Sequence, residues 1–297
     1  MKSLLRLIRF PNLLMIAFAQ VTVRFGLLEA MEVPVYLTPS RFALLVFATV
    51  LIAAAGYIIN DIQDLEADRI NKPNQVLIGK WISENKAFNA YLILNIIGVG
   101  LGFYLSYLEH QPKLTLLFVL TSALLYIYAT SWKHIAVVGN VVVSLLVGLS
   151  ILLVGIFDLM PFLSEAVQTA FMVILDIAVM AALLNWLREM VKDLQDLKGD
   201  HFIGSKTLPI VAGRERTQHL LAGLTILIII LLVWYLFRYL YANSWVVAHL
   251  LIGVVGPLGY FAFRIWKAKE KDYGFLSIVL KLTMIVGILA IFTLGLT

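Results

Sequence analysis

The chain has 297 residues, 61% of them hydrophobic and 14% charged, with a mean hydropathy of +0.93. That is too apolar for a soluble domain of this length, and several runs are long enough to cross a bilayer. The absence of cysteine excludes disulfides, thiol nucleophiles and Cys-based metal sites. The net charge of +5 reads as membrane topology, not nucleic-acid binding, because of where the basic residues fall.

Met1 to Arg9 is a basic start with no small-residue cleavage site after it, so the first apolar run is expected to be a retained span. Nine spans are expected, near 12–31, 41–59, 87–107, 113–131, 135–156, 166–187, 217–239, 244–266 and 274–296. The fold class is therefore all-α, a polytopic membrane protein of nine transmembrane helices forming one domain over 1–297. The N-terminus and the loops after spans 2, 4, 6 and 8 carry 18 of the 23 Lys and Arg residues. The exceptions are Arg24, Arg41, Lys113, Arg238 and Lys281. By the positive-inside rule the N-terminus and the two long loops, about 60–86 and 188–216, are cytoplasmic, and the C-terminus is outside.

Each long loop opens on an acidic run that is expected to prolong the preceding helix. After span 2 comes Asn60-Asp61-Ile62-Gln63-Asp64-Leu65-Glu66-Ala67-Asp68. At about 100° per residue, Asn60, Asp61, Asp64 and Asp68 share roughly 100° of arc, and Glu66 points elsewhere. After span 6, Glu189, Asp193, Asp196 and Asp200 share about 60°. Two carboxylates about 5 Å apart repel by roughly 3 kcal/mol at an effective dielectric near 20. A divalent cation relieves that strain, and carboxylates with few other protein ligands suit Mg²⁺, which keeps waters and shares phosphate oxygens with a substrate.

One acidic helical face is ordinarily a solvated surface. Two of them, each opening a loop on the same side of one bundle, describe the walls of a common site. A diphosphate is the natural ligand of metals held there, with Lys72, Lys133, Lys192 and Arg69 as basic partners, Lys192 foremost. Each of these is also an ordinary inside-loop charge. A diphosphate at the mouth of an apolar bundle points to an allylic prenyl diphosphate, whose head binds metal and whose tail needs a greasy tunnel. Tyr57, Tyr126, Tyr128 and Trp186 are candidates to steady an allylic cation, or else members of an interfacial aromatic belt.

At these residues the chain resembles the UbiA superfamily of intramembrane prenyltransferases. Asn60-Asp61-x-x-Asp64-x-x-x-Asp68 is similar to its first Asp-rich motif and Asp193-x-x-Asp196-x-x-x-Asp200 to its second. The resemblance implies a helical bundle around a central cavity that opens laterally to lipid, with Mg²⁺ bridging the two motifs to the diphosphate. The metal ligands expected are Asn60, Asp64, Asp68, Asp193, Asp196 and Asp200, with Asp64, Asp68, Asp196 and Asp200 carrying catalysis. The expected substrate-binding residues are Asn60, Asp61, Lys72, Lys133, Tyr128, Asn140, Arg188, Lys192 and Asp193. Ile70-Asn71-Lys72-Pro73, Arg188-Glu189-x-x-Lys192-Asp193, Gly199-Asp200 and Thr207-Leu208-Pro209 look like the branch that prenylates geranylgeranylglyceryl phosphate. That branch implies geranylgeranyl diphosphate as donor and a lipid acceptor. Similar phrases occur in members that prenylate aromatic acceptors of quinone and chlorophyll pathways. Where many members carry Arg-Pro and Ser-Gly, this chain reads Asn74-Gln75-Val76-Leu77-Ile78-Gly79, and Lys80 is the candidate to replace the missing basic contact.

Ionisable groups inside spans cost roughly 2.5–3.5 kcal/mol each at a helix centre. Asp176 is too far from the second acidic run to serve the metal, and a buried pair with Arg24 is one possibility. Arg24 and Lys281 are otherwise expected to snorkel. Asn140 is expected to line the acceptor site or bond a neighbouring helix, Asn12 to cap the first span, and His134 to lie near the site. A transporter is the rival reading. Transporters place ion sites near the midplane in broken helices, whereas these carboxylates gather at helix ends.

Overall fold

The structure, a computed structural model, describes residues 2–160 and 162–292. Among the described residues nine helices are long and apolar enough to span a membrane, and there is no strand. They are α1 Phe10–Leu28, α2 Pro39–Gln63, α3 Glu84–Leu108, α4 Pro112–Thr130, α5 Val138–Leu159, α6 Glu165–Phe202, α7 Arg214–Tyr239, α8 Ser244–Ile265 and α9 Glu270–Phe292. The expected end of the ninth span, 296, and the C-terminus placed outside the membrane both lie outside the described residues.

Local chemistry starts several of these helices. Thr38 accepts from Arg41 N and is followed by Pro39, Ser164 accepts from Val167 N, and Asn243 accepts from Val246 N. Large side chains such as Ile96, Phe103, Ile230, Ile252 and Phe263 stay exposed, as lipid-facing positions do, while small residues bring helices together inside. A Cβ on Gly148 of α5 would sit 2.9 Å from the Ala178 carbonyl oxygen of α6, so only glycine permits that approach.

The two acidic runs are built differently. α6 runs unbroken for 38 residues, about 57 Å against a hydrocarbon core of about 30 Å, so its last turns with Asp193, Asp196 and Asp200 project beyond the bilayer. The first run does not simply prolong α2. The helix stops at Gln63, Asp64 takes φ −87° and ψ 1°, and a short helix resumes at Leu65–Asn71. Packing explains the break. The short helix is turned onto α6, where Asn71 Nδ2 donates to the Asp196 carbonyl oxygen at 2.8 Å and Gly199 N donates to Asn71 Oδ1 at 2.8 Å.

The intramembrane charges are paired, not snorkelling. Arg24 sits in a π-helical stretch, Val23–Leu28. It donates to both carboxylate oxygens of Asp158 on α5 and to the Leu37 carbonyl, and Leu37 N donates to Asp158 at 2.9 Å. The partner is thus Asp158 and not Asp176, whose side chain is exposed and accepts from Tyr235 Oη at 2.7 Å. Lys281 Nζ donates to Asn12 Oδ1 at 2.7 Å, tying α9 to α1. Asn12 therefore links helices, and the residue at the cap position of α1 is Arg9, in a left-handed conformation. An unpaired charge in hydrocarbon is costly enough that a partner on a neighbouring helix wins over a stretched side chain.

Candidate active site

One cavity of about 700 Å³ runs up the bundle from the loops that carry the two acidic runs. Its mouth is lined by Asn60, Asp61, Asp64 and Asp68 on one side and Glu189, Asp193, Asp196 and Asp200 on the other. The two runs thus face each other across a single space. Beyond them the walls turn apolar, with Ile52, Leu125, Val143, Leu146 and Leu153.

Basic side chains stand between the acids. Lys133 Nζ is 2.6 Å from Asp64 Oδ1, and Lys72 Nζ is 2.7 Å from Asp196. Asn140 Nδ2 donates to Asp193 Oδ2 at 2.7 Å, and Asn60 Nδ2 donates to Asp64 Oδ2 at 2.7 Å. Lys133 is delivered by the turn between α4 and α5. That turn packs so closely on Gly139 that a Cβ there would lie 2.7 Å from Lys133 Cα. His134, next along, sets its Nδ1 2.8 Å from Ser205 Oγ, and its carbonyl accepts from Lys206 N at 2.8 Å. The α4–α5 turn is thereby fastened to the loop after α6. Burial and the neighbouring Lys133 push the His134 imidazole below its usual range.

A second region of the same mouth is basic. Arg9 donates to Asp61 Oδ1 at 2.7 Å and lies over the Tyr57 ring, 5.1 Å from its centroid. Lys192 and Arg188 both pair with Glu189, at 2.7 and 3.2 Å. Arg6 also lines this region. Glu189 shares its helical face with the acids, but it serves as the counter-ion of a cationic wall, and Lys192 belongs to that wall.

Several expected positions fall elsewhere. Tyr57 and Tyr128 line the cavity, whereas Tyr126 is 45% exposed on the outer face and stacks on Tyr91. Trp186 packs against the core formed with α7, α8 and α9. Arg69 is exposed, and Lys80 donates to the Pro73 carbonyl at 2.6 Å on the surface. Lys80 therefore does not replace the missing contact. Asn74 and Gln75 themselves line the mouth. Arg9 was not among the expected ligands. Its signal was present, a cation one residue before the first span, but a start-of-span Arg has no periodicity to single it out.

The donor set fits Mg²⁺. Among the described residues no group of three Asp, Glu or His side chains converges tightly enough to hold a metal unaided. Facing carboxylates that leave most of a coordination shell to water and phosphate are what a Mg²⁺–diphosphate site needs. Asn60 Oδ1 is buried without a hydrogen-bond partner, a free carbonyl oxygen beside Asp64. Burial, with Asp64 next in effect, pushes the Asp68 carboxyl up to about 6, a crowding of carboxylates that a bound cation would relieve.

An all-helical bundle with two facing acidic walls over an apolar cavity defines an intramembrane enzyme for an amphiphilic, anionic substrate. Comparison with known proteins gives the family: residues 21–292 match the UbiA prenyltransferase family, and the chain belongs to it. It is a multi-pass integral membrane prenyltransferase. The chain is 35% identical to digeranylgeranylglyceryl phosphate synthase of Methanothrix thermoacetophila, covering 77% of this chain and 78% of that one. It is 29% identical to the Sulfurisphaera tokodaii protein of the same name, over 77% and 76% of the two chains. A solved structure reported as insights into the biosynthesis of digeranylgeranylglyceryl phosphate synthase in membranes superposes with a TM-score of 0.67 at 26% identity, covering 100% of this chain and 99% of that one. A UbiA homolog from Archaeoglobus fulgidus bound to DMAPP and Mg²⁺ shares the fold, with a TM-score of 0.58 at 16% identity over 97% of this chain and 99% of that one.

Proposed function

We propose that the protein transfers a polyprenyl group, geranylgeranyl foremost, from its diphosphate to the free hydroxyl of a geranylgeranylglyceryl phosphate-type lipid, with Mg²⁺ as cofactor. The observation that carries this reading is the facing of Asp64 and Asp68 against Asp196 and Asp200 across the mouth of one apolar cavity. Asn60, Asp64, Asp68, Asp193, Asp196 and Asp200 would hold the metal. When bound, Mg²⁺ neutralises charge on the diphosphate and makes it a better leaving group.

The chain's own groups do the rest. Lys72 and Lys133 lie at the acidic walls and donate to diphosphate oxygens as charge grows on the leaving group. The apolar walls hold the tail and keep water from the allylic carbon once the C1–O bond breaks. Tyr128, and Tyr57 beneath Arg9, line the cavity and would offer aromatic surface to the cation that develops at C1. The acceptor hydroxyl oxygen forms the new bond to C1 as the C1–O bond to diphosphate breaks, and its proton passes to the released diphosphate, giving an ether and protonated diphosphate. Arg6, Arg9, Arg188 and Lys192 outnumber their counter-ions Asp61 and Glu189, which favours an acceptor that brings its own anion, such as a phosphate monoester, over a neutral aromatic one. The names of the relatives support the same acceptor. DMAPP, GPP and Mg²⁺ bound to homologs of this fold support the donor class and the metal. The basic loops favour a cytoplasmic mouth and N-terminus, with the C-terminus outside.

The test is purified protein with geranylgeranyl diphosphate, Mg²⁺ and a panel of acceptors, read by product mass. The diether phosphate is the expected product, and Asp64→Ala and Asp196→Ala are expected to lose about 100-fold or more in turnover. Undiminished turnover in both variants sinks the metal assignment. Product from an aromatic acceptor alone overturns the lipid acceptor and leaves prenyl transfer standing.

A further inference from the structure

Counted along the helices from the acidic mouth, the cavity reaches a far end. The deepest lining residues are Thr49 and Ile52 on α2, Phe118 on α4, and Ser150 and Leu153 on α5. Three helices give concordant depths. Asp64 to Thr49, Lys133 to Phe118, and Asn140 to Leu153 each span 13–15 residues, about 20 Å of helix. An extended isoprene unit advances about 5 Å over its four carbon–carbon bonds, and because this depth starts at the residues around the diphosphate, it leaves room for a tail of about three to four units and no more.

Phe118 closes the far end. The ring is buried, 1% exposed, and packs on Phe157 with ring centroids 5.8 Å apart. On its other side it lies directly on the α3 backbone at Gly102. A Cβ built on Gly102 would come within 2.3 Å of Phe118 Cγ, 2.5 Å of Cδ2 and 2.8 Å of Cδ1. Such overlap cannot be absorbed in place. Held between Phe157 and α3, the ring is packed nearly all round and meets the cavity only at its end, where it is one of the lining residues.

We infer that Phe118, seated against Gly102, is the stop that limits the donor to about four isoprene units, and that the Gly102–Phe118 contact sets the donor length of the enzyme. This rests on the prenyl-transfer reading above. Removing the ring joins the tunnel to the space in front of Phe157 and admits a longer tail. Adding a methyl at Gly102 drives the ring into the tunnel and favours a shorter one.

The experiment is a competition among all-trans C15, C20 and C25 prenyl diphosphates presented together to one acceptor, with products counted by mass. Ratios within one reaction cancel any loss of folded enzyme. The wild type is expected to favour C20. Phe118→Ala, and the milder Phe118→Leu, are expected to raise the C25:C20 product ratio by about tenfold, and Gly102→Ala to raise C15:C20 in the same range. Wild-type ratios in both Phe118 variants with turnover intact overturn this inference alone. Failure of the wild type to convert any of the three donors overturns the prenyl-transfer reading and this inference with it.

Discussion

Gly199 sits at the contact between the two acidic walls, and Gly199→Ala tests whether that contact sets their geometry. In the exposed interior of a helix the change would stabilise by about 1 kcal/mol, because glycine is the poorer helix former. Here a Cβ would lie 2.4 Å from Asn71 Nδ2 and 2.5 Å from the Ala67 carbonyl oxygen. The second atom is backbone and cannot rotate away. To regain ordinary contact the short helix Leu65–Asn71 must withdraw from α6 by about 1 Å, which is overpacking at about 1–3 kcal/mol. The two hydrogen bonds through Asn71, each 2.8 Å long, would weaken further. The clash therefore outweighs the propensity gain, and the net is a destabilisation of about 1–2 kcal/mol. The larger effect is on turnover. Asp68 rides on the short helix and Asp196 and Asp200 on α6, so the walls separate by about 1 Å, a misplacement that can cost about 100-fold in rate. The assay is turnover against Mg²⁺ concentration, with thermal unfolding of the same preparation. Asn71→Ala/Gly199→Ala relieves the side-chain clash but not the carbonyl one, and is expected to stay impaired. Wild-type turnover and Mg²⁺ dependence in Gly199→Ala would refute the claim that this contact holds the walls in register.

Protons and Mg²⁺ are expected to compete for Asp68. Its carboxyl, raised to about 6 by burial and then by Asp64, stays protonated below that pH, so binding the cation must expel a proton. Asp200 on the facing wall is raised further, to about 7, by burial and then by Asp196, so the apparent Mg²⁺ affinity should fall about tenfold or more between about pH 8 and about pH 5, and Asp68→Asn should remove the part of that fall centred near about pH 6. Asp158→Asn is expected to lower stability by about 3–5 kcal/mol, because Arg24 is left charged at 4% exposure with its partner neutralised, whereas Arg24→Met/Asp158→Leu should recover most of that loss in the same unfolding assay. Inorganic diphosphate with Mg²⁺ at about 100 times its dissociation constant should stabilise the wild type by about 2.7 kcal/mol, a thermal shift of several degrees that Asp64→Ala/Asp196→Ala abolishes.

The helices and acidic runs were legible because each is written within one segment. An apolar run of the right length reports a span, and carboxylates three and four apart report a shared face. What was not legible is everything that depends on where one helix meets another. Glu189 shares an arc with Asp193, Asp196 and Asp200, but Arg188 and Lys192 beside it and Arg9 from before α1 give it the opposite duty. Arg24 and Asp158 are 134 positions apart, and nothing periodic links them; their meeting depends on a π-helical stretch and on the turn at Leu37. The break at Asp64 was hidden for the same reason. The run from Asn60 to Asp68 has helical spacing throughout, and it is the pull of Asn71 toward α6 that bends it.

The two regions of the mouth differ in the sign of their excess charge, and under the proposed function that difference would sort the two substrates. On the acidic side Asp64, Asp68, Asp193, Asp196 and Asp200 face two ammonium groups, Lys72 and Lys133. A bare diphosphate would be repelled there, so a divalent cation must enter with the donor or before it. On the basic side the excess is positive, and an anion is attracted with no metal at all. A single uniformly charged mouth would let donor and acceptor compete for the same ground, each arriving as a phosphate on an isoprenoid tail. Under the proposed function, splitting the mouth by sign would separate them, with the metal-dependent head at the carboxylates and the metal-free head at the arginines. On the proposed reading the acceptor hydroxyl would meet C1 at the seam between the two, where Asp61, paired with Arg9, sits one helical turn from Asp64.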